Sequence, residues 1–380
     1  MTSLPELDDD RPVALIFRSP LFNPSETFVQ AQAAGLHRYQ PLVVGMVDKG
    51  GAIPELAERL VVATATERLQ LQLGDAGALA RRLAAYRPRL VHAHFGTDGL
   101  LALPLARALG VPLVTSLRGY DVQRSRAALL RSGRLSWMRY ALAQKRLMEE
   151  GALFLAVSDA LRDRAIARGF PDERTLTHYN GVDLNRFAPS PDPPAARIIL
   201  HAGRLVEKKG TALLIEVFSR VAKEFPDAKL VIAGDGPLRM SLQRQAAPLG
   251  GQVQFLGAVL RVRIADLMRT AWLLATPSVT ARDGDAEGLP NVVVEAAASG
   301  VPVVATAHAG IPEAVEDGVS GLIVPENDPA ALAAALRRLL GSAELRSAQS
   351  AAARRLAKSR FDLRRQSERL EEIYDRVASA

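Results

Sequence analysis

Glu287 and Glu295 are the two residues whose type and spacing most directly suggest chemistry. They enclose a Gly-Leu-Pro-Asn segment and are followed by Gly300. Pro290 suits the first turn of a helix and Gly300 suits its end, which predicts Glu287 on a loop and Glu295 about five residues inside the helix. The N–H groups at such a helix start attract an anion such as a pyrophosphate. The two carboxylates would flank that anion, one accepting hydrogen bonds from a ribose and the other from a sugar.

Two glutamates at this spacing are more commonly a solvated loop acid and a helix-surface acid. The Gly-Leu-Pro context between them favours ligand binding in this chain. We therefore predict a binding segment around Glu295 whose other members are Gly288, Leu289, Pro290 and Asn291.

A basic loop between Gly203 and Gly210 is the second candidate. It follows a predicted strand and presents Arg204 and Lys209. These side chains suit a diphosphate, because a guanidinium binds phosphate bidentately and an ammonium adds a point charge. The competing interpretation is a solvated basic loop, which is what we expect for the neighbouring Lys208.

A glycine turn that begins at Gly234 follows the next predicted strand. Such a turn is about as typical of a tight strand-to-helix connection as of ligand contact. The sequence contains neither GxGxxG nor GxxxxGK[ST], so dehydrogenase and P-loop NTPase assignments lose their main support.

Short β-branched runs alternate with helical patterns along the whole chain, which indicates parallel α/β sheets. A proline-rich connector at 187–195 separates the two halves. We predict an N-terminal domain over 1–188, a second domain over 196–360 and a C-terminal helix over 361–380 that packs back toward the first. Both domains are expected to be Rossmann-like and doubly wound, facing a cleft at the carboxyl ends of their strands, where ligands of such sheets bind.

Three loops of the first half should face this cleft. Ser25 is a candidate helix N-cap, with Glu26 beside it. His92 and His94 lie at a strand end, and we expect the strand to stop between them, so that His92 packs against the sheet and His94 enters the cleft. Two histidines without a well-spaced third ligand make a poor metal site, so no metal is predicted.

Arg118 and Asp121 place a cation and an acid around a glycine turn. A functional role and a structural ion pair are about equally compatible with this pattern.

The segment from Arg118 to Arg146 contains eight basic residues and a single acid, Asp121, among leucines, Trp137 and Met138. This pattern is typical of a basic amphipathic region that lies on anionic lipid. A domain helix with a solvated basic face has the same pattern and is slightly favoured.

Composition narrows the functional class further. The chain of 380 residues has 48 basic and 41 acidic residues, a formal charge of +7, which favours anionic partners. It has no cysteine, which excludes disulfides, thiolate metal sites and cysteine nucleophiles. The polar, acidic N-terminus does not have the pattern of a signal peptide, so none is expected, and no apolar run approaches the ~20 residues of a membrane helix. We expect a cytoplasmic protein that attaches at most to the membrane surface.

These motifs, taken in order, resemble the retaining glycosyltransferases of family four, which have the GT-B fold. The resemblance rests on the Glu287/Glu295 pair, the Arg204/Lys209 loop, the Gly234 turn and two further segments, Asn180-Gly-Val-Asp183 and Ile311-Pro-Glu313. Ser25-Glu-Thr-Phe28 and His92-Ala-His94-Phe-Gly are similar to members that build bacterial exopolysaccharide, including colanic-acid-type enzymes.

The resemblance implies transfer of a hexose from a GDP- or UDP-sugar to a glycan or polyprenyl-diphosphate-linked acceptor, with retained configuration. It implies no metal or other cofactor, and no nucleic-acid partner is expected. Arg204 and Lys209 would stabilise the diphosphate leaving group, Glu295 would bind the ribose and Glu287 the donor sugar. Gly203, Gly234 and the segment 288–291 would complete the donor site, and Ser25, Glu26 and Asp121 would lie on the acceptor side.

Arg118 stands where many relatives have a histidine, and an arginine cannot accept a proton. Either His94 takes over part of that histidine's task, or Arg118 contacts a phosphate or an anionic acceptor. Both residues are therefore assigned to the catalytic group.

Three alternatives remain. A close one is a family member that acts on a small soluble acceptor. A phosphorylase-like enzyme would share the two-domain architecture but require pyridoxal phosphate. The intact set of Glu287, Arg204 and Lys209 argues against a non-enzymatic nucleotide-binding protein.

Overall fold

Every strand of the two main sheets runs parallel to its neighbours, as the alternation of strands and helices predicts. The structure, a computed structural model, describes residues 5, 7, 10–22, 27–192 and 194–379. The chain divides into two units, residues 1–181 with 363–380, and residues 182–362.

The first unit contains a parallel sheet in the order β5-β3-β1-β6-β7-β8-β9, and β2 pairs separately with β4. Its strands are short, and most are buried along their whole length, as expected where helices cover both faces. They are β1 Val13–Phe17, β2 Pro20–Leu21, β3 Gln40–Gly45, β4 Val47–Asp48, β5 Leu60–Val62, β6 Leu90–His94, β7 Leu113–Leu117, β8 Leu153–Ala156 and β9 Thr175–Thr177.

The helices between these strands begin and end at recognisable signals. Thr64 and Glu67 form a reciprocal capping box, and Gly110 ends another helix in the left-handed region at φ +66°. The helices are α1 Thr27–Ala34, α2 Pro54–Ala57, α3 Ala65–Leu73, α4 Gly77–Leu83, α5 Gly96–Leu109, α6 Tyr120–Gln123, α7 Arg126–Leu130, α8 Leu135–Glu150 and α9 Asp159–Ile166. The basic segment 118–146 is thus divided among α6, α7 and α8.

The second unit has a sheet in the order β12-β11-β10-β13-β14-β15. Its strands are β10 Ile198–Ala202, β11 Lys229–Ala233, β12 Val253–Gly257, β13 Leu273–Thr276, β14 Val303–Thr306 and β15 Gly321–Val324. The helices are α10 Thr211–Val221, α11 Arg239–Ala246, α12 Arg261–Thr270, α13 Asn291–Ala298, α14 Ile311–Ala314, α15 Pro329–Gly341 and α16 Ala343–Arg360. A core that includes Leu214, Phe218, Leu332 and Leu336 packs α10 and α15 against the sheet.

In both units the strand order reverses beside the first strand, between β1 and β6 and between β10 and β13. This is the doubly wound arrangement, in which ligands bind outside the carboxyl ends of the strands at the point of reversal. The loops after β1, β6, β10 and β13 are therefore where chemistry is expected.

The final helix, α17 Leu363–Ala378, belongs to the first unit. Leu370, Ile373 and Tyr374 are buried there, and the Tyr374 hydroxyl lies 2.6 Å from Nδ1 of His92. A carboxylate oxygen of Glu371 accepts hydrogen bonds from three successive backbone N–H groups, those of residues 37–39.

The segment 182–195 groups with the second unit. The Arg354 guanidinium donates hydrogen bonds to the carbonyl oxygens of Leu184 and Phe187, which attach this segment to α16.

Candidate active site

Glu287 forms a buried ion pair with the basic loop that follows β10. Its Oε1 lies 3.1 Å from Nζ of Lys209 and 3.9 Å from Nζ of Lys208. Burial alone would raise the pKa of this carboxyl, but the charges of Lys209 and Lys208 outweigh burial and hold the pKa below its usual value. Glu287 is therefore ionised at neutral pH although it is buried.

Lys208 is held in place rather than solvated. Its Nζ is 3.2 Å from Oδ1 of Asp285 and 3.2 Å from the carbonyl oxygen of Ala286. The expectation of a solvated side chain was wrong, because the acidic loop before α13 folds over the basic loop and supplies partners for both lysines.

Arg204 lies two residues after the end of β10, at the point where the strand order reverses, and it is exposed. Within the described ranges, the Arg204 guanidinium has no hydrogen-bond or ion-pair partner. It is accordingly available to an anionic ligand at the carboxyl edge of the sheet.

The glycine turns allow the loops after β10 and β11 to approach closely. Gly234 has φ +159°, and a Cβ there would lie 1.8 Å from the carbonyl oxygen of Gly203. Gly203 in turn lies beneath the side chain of Lys209, whose Cε would be 3.2 Å from an added Cβ. The close approach of the Gly203 backbone therefore requires glycine at 234, whereas glycine at 203 is favoured by its positive φ of +156°.

Helix α13 begins at Asn291, directly after its N-cap residue Pro290. Glu287 lies on the preceding loop and Glu295 is the fifth residue of the helix, as predicted. Gly300 follows the helix with φ +65°. Leu289 and Glu295 are buried, and the carbonyl oxygen of Gly288 accepts a hydrogen bond from the N–H of Gly310 at 2.9 Å.

His308 and Glu326 also belong to this site, and sequence reasoning missed them. The backbone N–H of Glu287 donates to Nε2 of His308 at 3.1 Å, and Nδ1 of His308 lies 2.6 Å from Oε1 of Glu326. Each follows a strand, β14 and β15 respectively. Their positions after predicted strands were the signal in the sequence that could have identified them as candidate site residues.

In the first unit, β6 continues through both histidines, so the expectation that it stops between them was wrong. His94 pairs with Ser116 of β7, which keeps the ladder intact to the end. The two rings share a face, with centroids 4.6 Å apart, and both are buried. His92 is held by Tyr374 and by Oγ of Ser116, the latter at 2.8 Å, and is structural.

The Arg118 side chain makes several contacts within the first unit. Its Nη2 lies 2.8 Å from Nδ1 of His94 and donates to Oε1 of Gln32 at 3.1 Å, and its Nη1 donates to Oδ1 of Asn180. The guanidinium carbon lies 4.5 Å from the ring centroid of Phe28. These contacts indicate that Arg118 positions His94 and the surrounding loops.

Asp121 organises the glycine turn through backbone contacts. Its carboxylate accepts hydrogen bonds from the N–H groups of Gly96, Arg118 and Gly119. Burial raises the pKa of Asp121, although these N–H groups oppose the shift. Ser25 and Glu26 lie outside the described residues, and α1 begins at Thr27.

Burial, followed by the neighbouring charges of His92, Arg118 and Arg18, holds the pKa of His94 well below its usual value. His94 is therefore neutral at physiological pH. Because Arg118 donates to Nδ1, the ring proton is on Nε2.

Two family models together match most of the chain. "Glycosyl transferases group 1" covers residues 185–356, and "Glycosyltransferase Family 4" covers residues 26–186. The boundary between the two matches lies just before the proline-rich segment.

Among curated proteins, the chain is 35% identical to the putative colanic acid biosynthesis glycosyltransferase WcaL of Escherichia coli, over 65% of this chain and 60% of that protein. The chain thus spans less than two thirds of that relative. It is 32% identical to a GDP-mannose-dependent phosphatidylinositol monomannoside mannosyltransferase of Mycolicibacterium smegmatis, over 77% of this chain and 79% of that one. It is 31% identical to the amylovoran biosynthesis glycosyltransferase AmsK of Erwinia amylovora, over 77% and 75%.

Among solved structures, Anabaena HepE in complex with UDP-glucose matches with a TM-score of 0.77 at 23% identity, over 96% of this chain and 99% of that one. Sucrose-phosphate synthase from Thermosynechococcus elongatus matches with a TM-score of 0.74 at 18% identity, over 97% and 100%. At these identities the likeness shows the fold, and the predicted fold class is confirmed. The chain belongs to family 4 of the glycosyltransferases and has the GT-B fold.

Proposed function

We propose that this protein is a retaining glycosyltransferase that moves a hexose from a GDP- or UDP-sugar to a lipid-linked or polysaccharide acceptor in the synthesis of a cell-surface glycan. The observation that carries the proposal is the Lys209–Glu287 ion pair, with the exposed Arg204 on the same loop as Lys209, at the carboxyl edge of the second sheet where its strand order reverses. Cations at that edge suit a diphosphate, and a buried carboxylate beside them suits a sugar hydroxyl.

The geometry supports a division of roles in the second unit. Because Lys209 and Glu287 are 3.1 Å apart, a diphosphate bound by Lys209 would bring its attached sugar next to Glu287. Arg204 and Lys209 would stabilise the negative charge that develops on the leaving diphosphate, which preorganised cations do best when water is excluded. Glu295 would accept hydrogen bonds from the ribose. No step in this scheme requires a metal ion or another cofactor.

In the first unit, His94 offers Nε2–H as a hydrogen-bond donor at the end of β6, next to the point where that sheet reverses. We assign this unit to the acceptor, with Asp121 shaping the turn behind His94. Arg118 acts by holding His94 rather than by binding a phosphate.

The names of the relatives support a nucleotide-sugar donor and a surface-glycan acceptor. They include GDP-mannose-dependent mannosyltransferases and enzymes of colanic acid and amylovoran biosynthesis, and a structural neighbour was crystallised with UDP-glucose. A small soluble acceptor is the second candidate. A D-inositol 3-phosphate glycosyltransferase of Catenulispora acidiphila, 30% identical over 70% of this chain, favours it.

A lipid-linked acceptor would bring the enzyme to the membrane, and we propose peripheral attachment at the cytoplasmic face. On α8, Leu135 and Leu142 are 77% and 65% exposed, and Arg139 lies on the helix between them. Exposed leucines among arginines suit an anionic lipid surface. No helix in the described part of the chain is long and apolar enough to cross a membrane.

The proposal is tested by thermal unfolding of the full chain with UDP-glucose, GDP-mannose, UDP and GDP. A donor at about 100 times its dissociation constant should stabilise the folded protein by ~2.7 kcal/mol. Product analysis with that donor and extracted lipid-linked acceptor should then show transfer with retained anomeric configuration. No stabilisation by any nucleotide, or inverted product, would refute the proposal. Transfer to inositol phosphate instead would favour the soluble acceptor.

A further inference from the structure

We propose that His308 and Glu326 are positioning residues for Glu287, the carboxylate assigned to the donor sugar. They hold the loop that carries Glu287 through the neutral imidazole of His308. The inference rests on the proposed function, because Glu287 matters only if it contacts the donor. It assigns a role in that reaction to two residues that the sequence motifs do not include.

The contacts form an unbroken chain from one strand end to the next. The Glu287 N–H donates to Nε2 of His308 at 3.1 Å, and Nδ1 of His308 lies 2.6 Å from Oε1 of Glu326. The other carboxylate oxygen of Glu326 accepts the N–H of Thr280 at 2.9 Å. His308 is buried, so water does not compete readily for the two hydrogen bonds of its ring.

These contacts determine the protonation of the ring. Nε2 accepts a hydrogen bond and therefore carries no proton, which leaves the single proton of the neutral ring on Nδ1, where it donates to Glu326. A second proton on the ring would occupy Nε2, so that Nε2 could no longer accept the hydrogen bond from the Glu287 N–H.

The network holds the loop that carries Glu287 at two points. Glu326 binds the loop near its start, at Thr280, and His308 binds it further along, at Glu287. Beyond it, the N–H of Gly310 donates to the carbonyl oxygen of Gly288 at 2.9 Å. The ion pairs of Lys208 and Lys209 attract the acidic side chains, whereas His308 fixes the backbone from which the Glu287 side chain extends.

A matched pair of substitutions separates the two bonds of the ring. In His308→Gln the side-chain oxygen reaches the position of Nε2 and can still accept the Glu287 N–H. In His308→Asn the amide reaches only the position of Nδ1, so the bond to Glu326 is retained and the bond to Glu287 is lost. Misplacing a reacting group by about 1 Å costs on the order of 10²-fold in rate.

We therefore expect His308→Asn to lower kcat with UDP-glucose or GDP-mannose, whichever is the donor, by about 10²-fold. The affinity for UDP or GDP in calorimetry should remain near that of the wild type. His308→Gln should recover most of the turnover, and Glu326→Gln, which keeps one of the two carboxylate bonds, should fall between the two. Val221→Ala, a buried change in α10, serves as the control for lost stability alone.

Equal losses in the Asn and Gln variants, or losses no larger than in a Val221→Ala control of similar melting temperature, would overturn the inference. A second measurement does not depend on the variants folding. In ¹⁵N-histidine NMR of the wild-type protein, His308 should show a protonated Nδ1 and an unprotonated Nε2, and the opposite tautomer would refute the network. Failure of the wild type to use any nucleotide sugar would count against the proposed function, whereas the tautomer test would still decide the network.

Discussion

Arg118 donates a hydrogen bond from Nη2 to Nδ1 of His94 at 2.8 Å, and this contact fixes the side of the imidazole that carries the proton. An arginine cannot accept a proton, so the bond has only one direction. Its consequence is that His94 presents Nε2–H, a donor, at the end of β6.

His94 should behave as a hydrogen-bond donor rather than as a general base. His94→Gln, which can place an N–H near Nε2, should keep far more activity than His94→Ala. The ¹⁵N shifts of His94 should show an unprotonated Nδ1 without titration between pH 8 and pH 6, because its pKa lies well below the usual value. A titration of this ring within that range, or equal inactivity of the two variants, would contradict the assignment.

Unfolding stability should fall as the pH is lowered below about 6.5. Burial lowers the pKa of His178 and of His201 to about 4, and burial lowers the pKa of His92 and His94 in the same direction. At His178 and His201 the unfolded chain therefore binds a proton near pH 6.5 that the folded chain does not bind until about pH 4. Each such histidine removes about 1.4 kcal/mol per pH unit within that window.

Urea unfolding at pH 7.5, 6 and 5 checks this pH dependence. The free energy of unfolding should be flat above pH 6.5 and should decline below it. His178→Gln should be less stable at pH 7.5 but should show a shallower decline. A stability maximum near pH 5 would show that these histidines are protonated in the folded state.

Lys209→Ala and Arg204→Ala should reduce turnover by about 10²–10³-fold each, because each removes charge stabilisation from the leaving diphosphate. Acceptor binding should change little. Arg220→Ala removes an exposed arginine that pairs with Glu216 on α10, and it should leave turnover intact. Steady-state kinetics with varied donor and acceptor measure these effects. Near-normal turnover in both loop variants would show that this loop is a basic surface without a role in catalysis.

Lys208→Met should reveal what holds the acidic loop. Lys208 contacts Asp285 and Ala286 and contributes to the low pKa of Glu287. Its loss should raise the pKa of Glu287, so the acidic limb of the pH–kcat profile should move to higher pH. If the acidic limb of the profile does not move, Lys209 alone determines the low pKa of Glu287.

The wild-type protein should bind acidic vesicles weakly and reversibly with salt. Each basic residue near an anionic surface contributes about 1 kcal/mol, an attraction that falls off within a Debye length. Changing Arg131, Arg134 and Arg139 to Ser should reduce sedimentation with phosphatidylserine vesicles at low salt and leave donor binding intact. Changing Lys223, Lys229 and Arg244 of the second unit to Ser removes the same charge and is the control. Equal loss in both triple variants would indicate a general effect of charge, and no binding by the wild type would favour a soluble acceptor.

The elements and their order could be predicted from sequence because each depends on neighbours along the chain. The buried runs at Val13–Phe17 and Ile198–Ala202 are strands, and the Pro290 to Gly300 segment contains the expected helix. Glu287, Glu295, Arg204 and Lys209 could be singled out as candidate site residues for the same reason, since each lies in a short motif whose backbone geometry is local.

The partners of those residues were not predictable in this way. Lys208 meets Asp285 across 77 residues, and His308 meets Glu287 across 21, because each pair follows different strands of one parallel sheet. The continuation of β6 through His94 likewise depends on pairing with β7. Local sequence determined which residues stand at the strand ends. The tertiary structure decided which of them touch, because the lateral order of strands in a sheet sets those distances, whereas separation along the chain does not.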